Sequence, residues 1–282
     1  MPLGAHVSTA GGLSTAIGRA QALGAECIQL FLSTPHRWQQ PKHTDAEVVA
    51  FQRLRAESGI APNFAHCAYL INLAADEGPL RERSIDSVTA SAQWADRVGL
   101  AGVVVHVGSG HGQTIADAER QVASALEQVL RGVGSCSILL ENSAGSGETL
   151  GARFEQIGSV FDRLGRDARL GLCLDTAHTF ASGYDLRRDD EIQRAVDEVE
   201  RFIGLDRLRL IHANDSKADL GSAVDRHENI GFGLLGEEAF VKMLGHAALK
   251  HVPWVLEVPG MDDKGPDLPN LETLKRLAGR PT

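Results

Sequence analysis

Eight short apolar and β-branched runs recur along the chain: LGAHVS at 3–8, CIQLFLS at 27–33, NFAHC at 63–67, GVVVHVG at 102–108, SILLENS at 137–143, LGLCLDT at 170–176, LRLIHAND at 208–215 and WVLEVP at 254–259. Each is followed by a polar or glycine-containing turn. Between them lie segments such as TIADAERQVASALEQVL and DEIQRAVDEVERFIG, whose apolar positions return at the helical spacing of three and four. Strands that alternate with helices predict a parallel sheet, and eight units predict that it closes. The expectation is a TIM (β/α)8 barrel, one α/β domain over residues 1–282, with functional loops at the C-terminal rim of the strands. An open doubly wound sheet is the alternative. Gly24, Gly59, Gly99, Gly165 and Gly204 follow helical stretches and are placed to cap them. The longer connection at 216–236 and the segment at 260–270 read as irregular loops on the same rim.

Composition narrows the setting. No apolar stretch approaches the roughly 20 residues that cross a bilayer, and the opening MPLGAHVSTAGG lacks the pattern of a signal peptide. A cytoplasmic protein with no membrane association is therefore expected. Cys27, Cys67, Cys136 and Cys173 form no CxxC pair and read as reduced thiols. A net charge of -9 argues at first against a nucleic-acid partner. That argument weakens for a metalloprotein, because three divalent ions would bring the sum from -9 to -3.

Ligand-type side chains fall at the ends of six consecutive runs: His66, His106, Glu141, Asp175, His212 and Glu257. In a parallel barrel these positions converge on one rim. Two local spacings add candidates, since Asp175 and His178 are three apart in DTAH and Asp225 and His227 are two apart in DRH. Glu141 and Glu257 directly follow apolar strand cores, where a buried carboxylate without a cation is expensive. The nine candidates are His66, His106, Glu141, Asp175, His178, His212, Asp225, His227 and Glu257. They exceed what one ion can hold and suit two or three. Imidazoles and carboxylates without a thiolate suit Zn, with Mn or Fe able to substitute, and magnesium is not expected. His6 reads as a structural group able to support a metal ligand. His43, His111, His246 and His251 receive no role.

Longer segments carry a more specific signal. GAHVSTAGGL (4–13), AHCAYLINLA (65–74), VVHVGSG (104–110), LLENSAGSGETLG (139–151), GLCLDTAHTFASGYD (171–185), HANDSKADLGSAVDRHENIGFG (212–233) and LEVPG (256–260) resemble, in order and over essentially the whole chain, the endonuclease IV family of apurinic/apyrimidinic DNA repair enzymes. The resemblance implies a TIM barrel holding three zinc ions on the nine residues above. One ion would use His66, His106 and Glu141. Glu141 would bridge to a second held also by Asp175, His212 and Glu257, and the third would use His178, Asp225 and His227. It also implies Glu141, Glu257 and His106 as catalytic residues. The implied substrate is double-stranded DNA with an abasic site, cut on its 5′ side to leave a 3′-hydroxyl and a 5′ deoxyribose phosphate, with removal of 3′ blocking groups besides. A monomer is expected.

The same resemblance assigns Tyr69 and Leu70 to a segment that enters the DNA helix at the lesion; otherwise they pack under their own loop. The preceding loop departs from the family. Where Asn-Pro-Arg-x-Trp is common, this chain has Thr34, Pro35, His36, Arg37 and Trp38, so either His36 fills the gap in the DNA or Arg37 reaches it by a shifted loop. Ala177 and Val258 are smaller differences that leave the ligand pattern intact. The main rival is a sugar isomerase or epimerase on a related metal barrel. The DRH pair, which supplies a third ion, and the Tyr69–Leu70 loop weigh against it. An inert DNA-binding or scaffold protein would leave nine desolvated ligands without a use.

Overall fold

A strand with helices on one side and a packed interior on the other has no face left for water, so it reads as a continuous apolar run rather than an alternating one. The barrel strands of this chain are of that kind. In the computed structural model, which describes residues 1–280, they are Leu3–His6 (β1), Ile28–Phe31 (β2), Asn63–His66 (β3), Gly102–His106 (β4), Ser137–Glu141 (β5), Leu170–Asp175 (β6), Leu208–Ala213 (β7) and, after the short pair Asp215–Ser216 (β8) and His227–Glu228 (β9) that lies outside the barrel, Trp254–Leu256 (β10). The barrel strands are nearly all buried along their length. They pair in parallel and close in the order β1-β10-β7-β6-β5-β4-β3-β2. The open-sheet alternative is thereby excluded. A register shift at Leu172 and Cys173 marks the β6–β7 pairing. The last two residues of the expected 1–282 domain lie outside the described residues.

Helices Thr15–Leu23 (α1), Asp45–Ser58 (α2), Pro79–Val98 (α3), Ile115–Gly132 (α4), Phe154–Arg163 (α5), Thr176–Ala181 (α6), Asp189–Phe202 (α7), Gly236–Gly245 (α8) and Leu268–Leu277 (α9) complete the fold. α4 shows how the sequence dictates the outer layer. Thr114 accepts from the backbone N–H of Asp117 at its start, and Val122, Ala125, Leu126 and Val129 form one fully buried stripe. Truncating Leu126 to Ala would cost about 2–5 kcal/mol. Gly24, Gly59 and Gly99 cap α1, α2 and α3 in the left-handed conformation. α5 and α7 end one residue sooner than expected, capped by Leu164 and Ile203, and Gly165 and Gly204 follow at positive φ. The short α6 is not marked by any periodicity; it begins directly on the exit of β6 with Asp175 as its N-cap.

The barrel interior is layered. A lower layer of Cys27, Phe64, Val104, Leu139, Cys173, Leu210 and Val255 forms a separate apolar cluster. On β1 the matching position is Gly4, where a Cβ would stand 1.7 Å from the carbonyl oxygen of Cys27, so no side chain fits. Side chains two residues apart share a face of a strand. Two residues above this layer therefore stand His6, Gln29, His66, His106, Glu141, Asp175, His212 and Glu257. The apolar floor and the polar layer above it come from the same strands.

Candidate metal centre and its rim

Glu141, at the end of β5, occupies the middle of the polar layer and is 1% exposed. Its Oε2 lies 3.2 Å from both His66 Nε2 and His106 Nε2. Its Oε1 lies 3.0 Å from His212 Nδ1 and 3.4 Å from His178 Nδ1. His212 Nδ1 is in turn 3.0 Å from Glu257 Oε2 and 3.9 Å from Asp175 Oδ2. Two donor groups, His66–His106–Glu141 and Glu141–Asp175–His212–Glu257, thus meet at one carboxylate, each with its ligand atoms within 4.8 Å of one another.

A third group, Asp175, His178 and His227, lies beside them. Asp225 completes it, with Oδ1 at 3.2 Å from His178 Nε2 and 3.3 Å from His227 Nε2. Both of these imidazole nitrogens are buried and, beyond this contact with Asp225, have no hydrogen-bond partner among the described residues. An orphaned buried nitrogen costs about 1–3 kcal/mol, and two that converge on one carboxylate oxygen are arranged for a cation. All nine residues expected from the sequence are brought together here.

Hydrogen bonds outside the donor set fix which atoms point inward. His66 Nδ1 bonds the carbonyl oxygen of Cys67 at 2.7 Å, and His178 Nδ1 that of Asn142 at 2.9 Å, turning each Nε2 toward the carboxylates. Asp175 Oδ1 accepts from the backbone N–H of His178 at 2.7 Å, and its Oδ2 accepts from Asn214 Nδ2 at 2.6 Å. Asn142 accepts from the N–H of Asp175 at 2.7 Å, and Asn214 accepts from that of Glu257 at 2.9 Å. The Thr176 hydroxyl donates to the carbonyl of Asn214 at 2.7 Å. His6 Nδ1 stands 3.4 Å from Glu257 Oε1.

Electrostatics follow from this crowding. Burial by itself would raise the carboxyl of Glu141, but the imidazoles of His106, His212 and His66 outweigh it and hold the group well below the usual range. Burial is likewise outweighed at Glu257 by His212 and His6. Asp225 is brought down to about 2 by His178 and His227 against its burial, and His178 is pushed up to about 10, against its own burial, by Asp175, Asp225 and Glu141. Glu141, Glu257 and Asp225 therefore stay ionised.

Asp225 and His227 come from a loop, and a second buried carboxylate holds that loop in shape. Asp215 and Ser216 of β8 pair antiparallel with His227 and Glu228 of β9. Asp215 is fully buried and accepts from the backbone N–H groups of Ser216 at 2.8 Å, Gly231 at 3.0 Å, Gly233 at 3.1 Å, Leu235 at 3.0 Å and Gly236 at 3.2 Å. Gly233 has no alternative, since a Cβ there would meet Asp215 Oδ1 at 2.4 Å.

The remaining candidates sit above the donors and are open to solvent. Tyr69 is 52% exposed and Leu70 37%. The Tyr69 ring centroid lies 5.6 Å from His66, 5.5 Å from Phe31 and 5.4 Å from His36, and its N–H donates to the carbonyl of Pro35 at 3.1 Å, joining the two loops. Arg37 and Trp38 are exposed, and among the described residues the Arg37 guanidinium has no ion pair. A cleft of about 960 Å³ runs from Tyr69, His6 and Glu257 toward Arg19 and Lys264.

The sequence reading missed Gln29, Asn142, Asn214, Thr176 and Asp215. One signal was present for Gln29: each strand-borne ligand stands two residues after an inward apolar residue, and Gln29 stands two after Cys27. No periodicity marks Asn142, Asn214 or Asp215, whose partners are distant in the chain.

Residues 17–278 match the family model described as Xylose isomerase-like TIM barrel. The chain is 39% identical over 285 residues to a probable endonuclease 4 of Nitratidesulfovibrio vulgaris, covering 99% of this chain and 100% of the relative. Its structure is similar to that of endonuclease IV from Thermus thermophilus, with a TM-score of 0.87, 36% identity and 99% of both chains covered. A D-tagatose 3-epimerase-like protein superimposes with a TM-score of 0.70 at 17% identity, over 99% of this chain and 97% of its own. That last likeness is one of barrel architecture alone. No helix among the described residues is long and apolar enough to cross a membrane.

Proposed function

The chain belongs to the endonuclease IV family, and from that premise we propose that it incises double-stranded DNA on the 5′ side of an abasic site, leaving a 3′-hydroxyl and a 5′ deoxyribose phosphate, and that it also removes 3′ blocking groups. The observation that carries this reading is the continuity of three donor groups through the two oxygens of Glu141 and the carboxylate of Asp175.

The donors fit divalent ions. Five imidazoles and four carboxylates converge without a thiolate, and two buried imidazole nitrogens have no other partner among the described residues. Zinc suits such a set, with Mn or Fe able to substitute at some positions. His66, His106 and Glu141 would hold one ion, Glu141, Asp175, His212 and Glu257 a second, and His178, Asp225 and His227 a third. Ions so held would supply positive charge to the oxygens of a phosphoryl transition state and would make water acidic enough to serve as nucleophile at neutral pH.

The chain's own residues do the positioning. Glu141 turns one oxygen toward each of the first two groups, and the bonds from Asn214 to Asp175 and to the Glu257 backbone keep those carboxylates in register. Glu141, Glu257 and His106, the residues that the family resemblance implies, are assigned as the catalytic residues. Tyr69 and Leu70, exposed beside His66, are the side chains available to enter a duplex where a base is missing, because unstacking costs less there. His36, packed beside Tyr69, and Arg37, unpaired among the described residues, supply the polar edge of that wedge.

Zinc-loaded protein is to be incubated with duplexes that differ only in one abasic analogue, with a strong-chelator control, and the product ends identified. Metal-dependent cleavage giving a 3′-hydroxyl and a 5′ sugar phosphate is expected. Cleavage of undamaged and abasic duplexes alike would overturn the assignment. Elemental analysis of extensively dialysed native protein should give close to three zinc per chain, and a reproducible value of one would rule out the three-ion arrangement.

A further inference from the structure

Of the eight side chains in the upper inward layer, six are metal donors and two are not: His6 and Gln29. Gln29 sits on β2 with no exposed surface. A glutamine there is costly unless every polar atom is satisfied, and its atoms are all engaged by the centre. Its Oε1 lies 2.9 Å from His212 Nε2, and its Nε2 donates to Glu257 Oε1 at 2.5 Å and faces His6 Nδ1 at 3.1 Å. We propose that Gln29 is a positioning residue of the metal centre, keeping the hydrogen of His212 on Nε2 so that Nδ1 faces the donors, and anchoring Glu257 by one oxygen so that the other faces them too.

The chemistry of the carboxamide makes this specific. An amide oxygen can only accept, so the nitrogen of His212 that faces it must carry a hydrogen. Turning the amide over would set its oxygen against the Glu257 carboxylate and its NH2 against the hydrogen of His212, two repulsive contacts in place of two bonds. With the amide as it stands, the lone pair of His212 Nδ1 is directed to where Glu141 Oε1 and Glu257 Oε2 each lie at 3.0 Å. The remaining amide hydrogen faces His6 Nδ1, which ties the eighth member of the layer to the same network. A leucine of similar volume would keep the packing and lose all three contacts. A glutamate could accept from His212 but would oppose Glu257 at the distance where the amide now donates.

The proposal rests on the reading of these donors as a metal centre. The test uses the full chain as wild type, Gln29→Leu and Gln29→Met, with circular dichroism to verify the fold. Zinc affinity is measured by competition with a chromogenic chelator, and the ring tautomer of His212 by 15N spectra. We expect folded variants in which one zinc per chain is held roughly 10–100-fold more weakly, the His212 ring signature changes, and kcat falls while KM for abasic DNA stays near the wild-type value. Wild-type zinc affinity together with an unchanged His212 signature in either folded variant would overturn the role of Gln29 and leave the metal centre standing. Failure of both variants to fold would also overturn it, since Gln29 would then serve the barrel rather than the donors. A wild-type chain that binds no zinc would overturn both readings.

Discussion

Asp175 and Tyr69 stand on the same rim and face the same space, yet the chain holds them in different ways. Asp175 has no exposed surface, caps α6, and has both carboxylate oxygens and its backbone N–H committed to named partners. Tyr69 is half exposed; one backbone bond to Pro35 and the edges of Phe31, His36 and His66 locate it. The donors must be preorganised, because a misplaced ligand loses charge stabilisation when it is needed. On the proposed function the rim meets a large, deformable partner, which its apolar and basic groups open to solvent would suit. Buried partners in quantity mark the first task, and exposed aromatic surface marks the second.

The largest effect should come from the carboxylate that joins the first two donor groups. Glu141→Gln is expected to lower abasic-site incision by roughly 10²–10³-fold, the range lost when one preorganised charged contact is removed, and to lower zinc content as well. Wild-type turnover in that variant would count against the mechanism. Asp215→Ala comes next. It touches no donor, but it frees five backbone N–H groups of the loop that carries Asp225 and His227, so incision should fall about 10–100-fold with weakened retention of one ion. Unchanged zinc stoichiometry after dialysis would show that the loop keeps its shape without the staple.

Changes on the rim should behave oppositely. Tyr69→Ala is expected to weaken binding to abasic duplex by about 1–3 kcal/mol, the worth of one aromatic contact with DNA, while zinc content and melting temperature stay at the wild-type values. A loss of zinc in this variant would erase the distinction between the two regions. His36→Arg is the smallest change. An added cation beside Tyr69 should tighten binding a few-fold and steepen its salt dependence by about one phosphate contact. Identical salt slopes for the two proteins would show that position 36 does not approach the backbone of the DNA.

The barrel was legible because its strands are buried on both faces and its helices on one, so the two periodicities separate cleanly along the chain. Strand ends then indicated the donors, since in a parallel barrel every strand delivers its last inward residue to the same rim. Residues whose role depends on a partner far away in sequence were not legible. Asn142 and Asn214 read as polar residues after strands until the fold sets Asn142 against Asp175 and Asn214 against both Asp175 and Glu257. α6 escaped because a six-residue helix buried all round has no amphipathic stripe.

By itself the order of residues determined the architecture, the nine candidate donors and the family, since each depends on local pattern or on motifs carried within single segments. The tertiary structure decided how those donors divide. Only closure of the sheet sets one oxygen of Glu141 toward His66 and His106 and the other toward His212, and only the β8–β9 pairing brings Asp225 and His227 to His178. It also decided which ring nitrogen of His178 and of His212 is held by an outside partner. That choice belongs to hydrogen bonds made across strands, as from His212 on β7 to Gln29 on β2, and such bonds leave no trace in the spacing of residues along the chain.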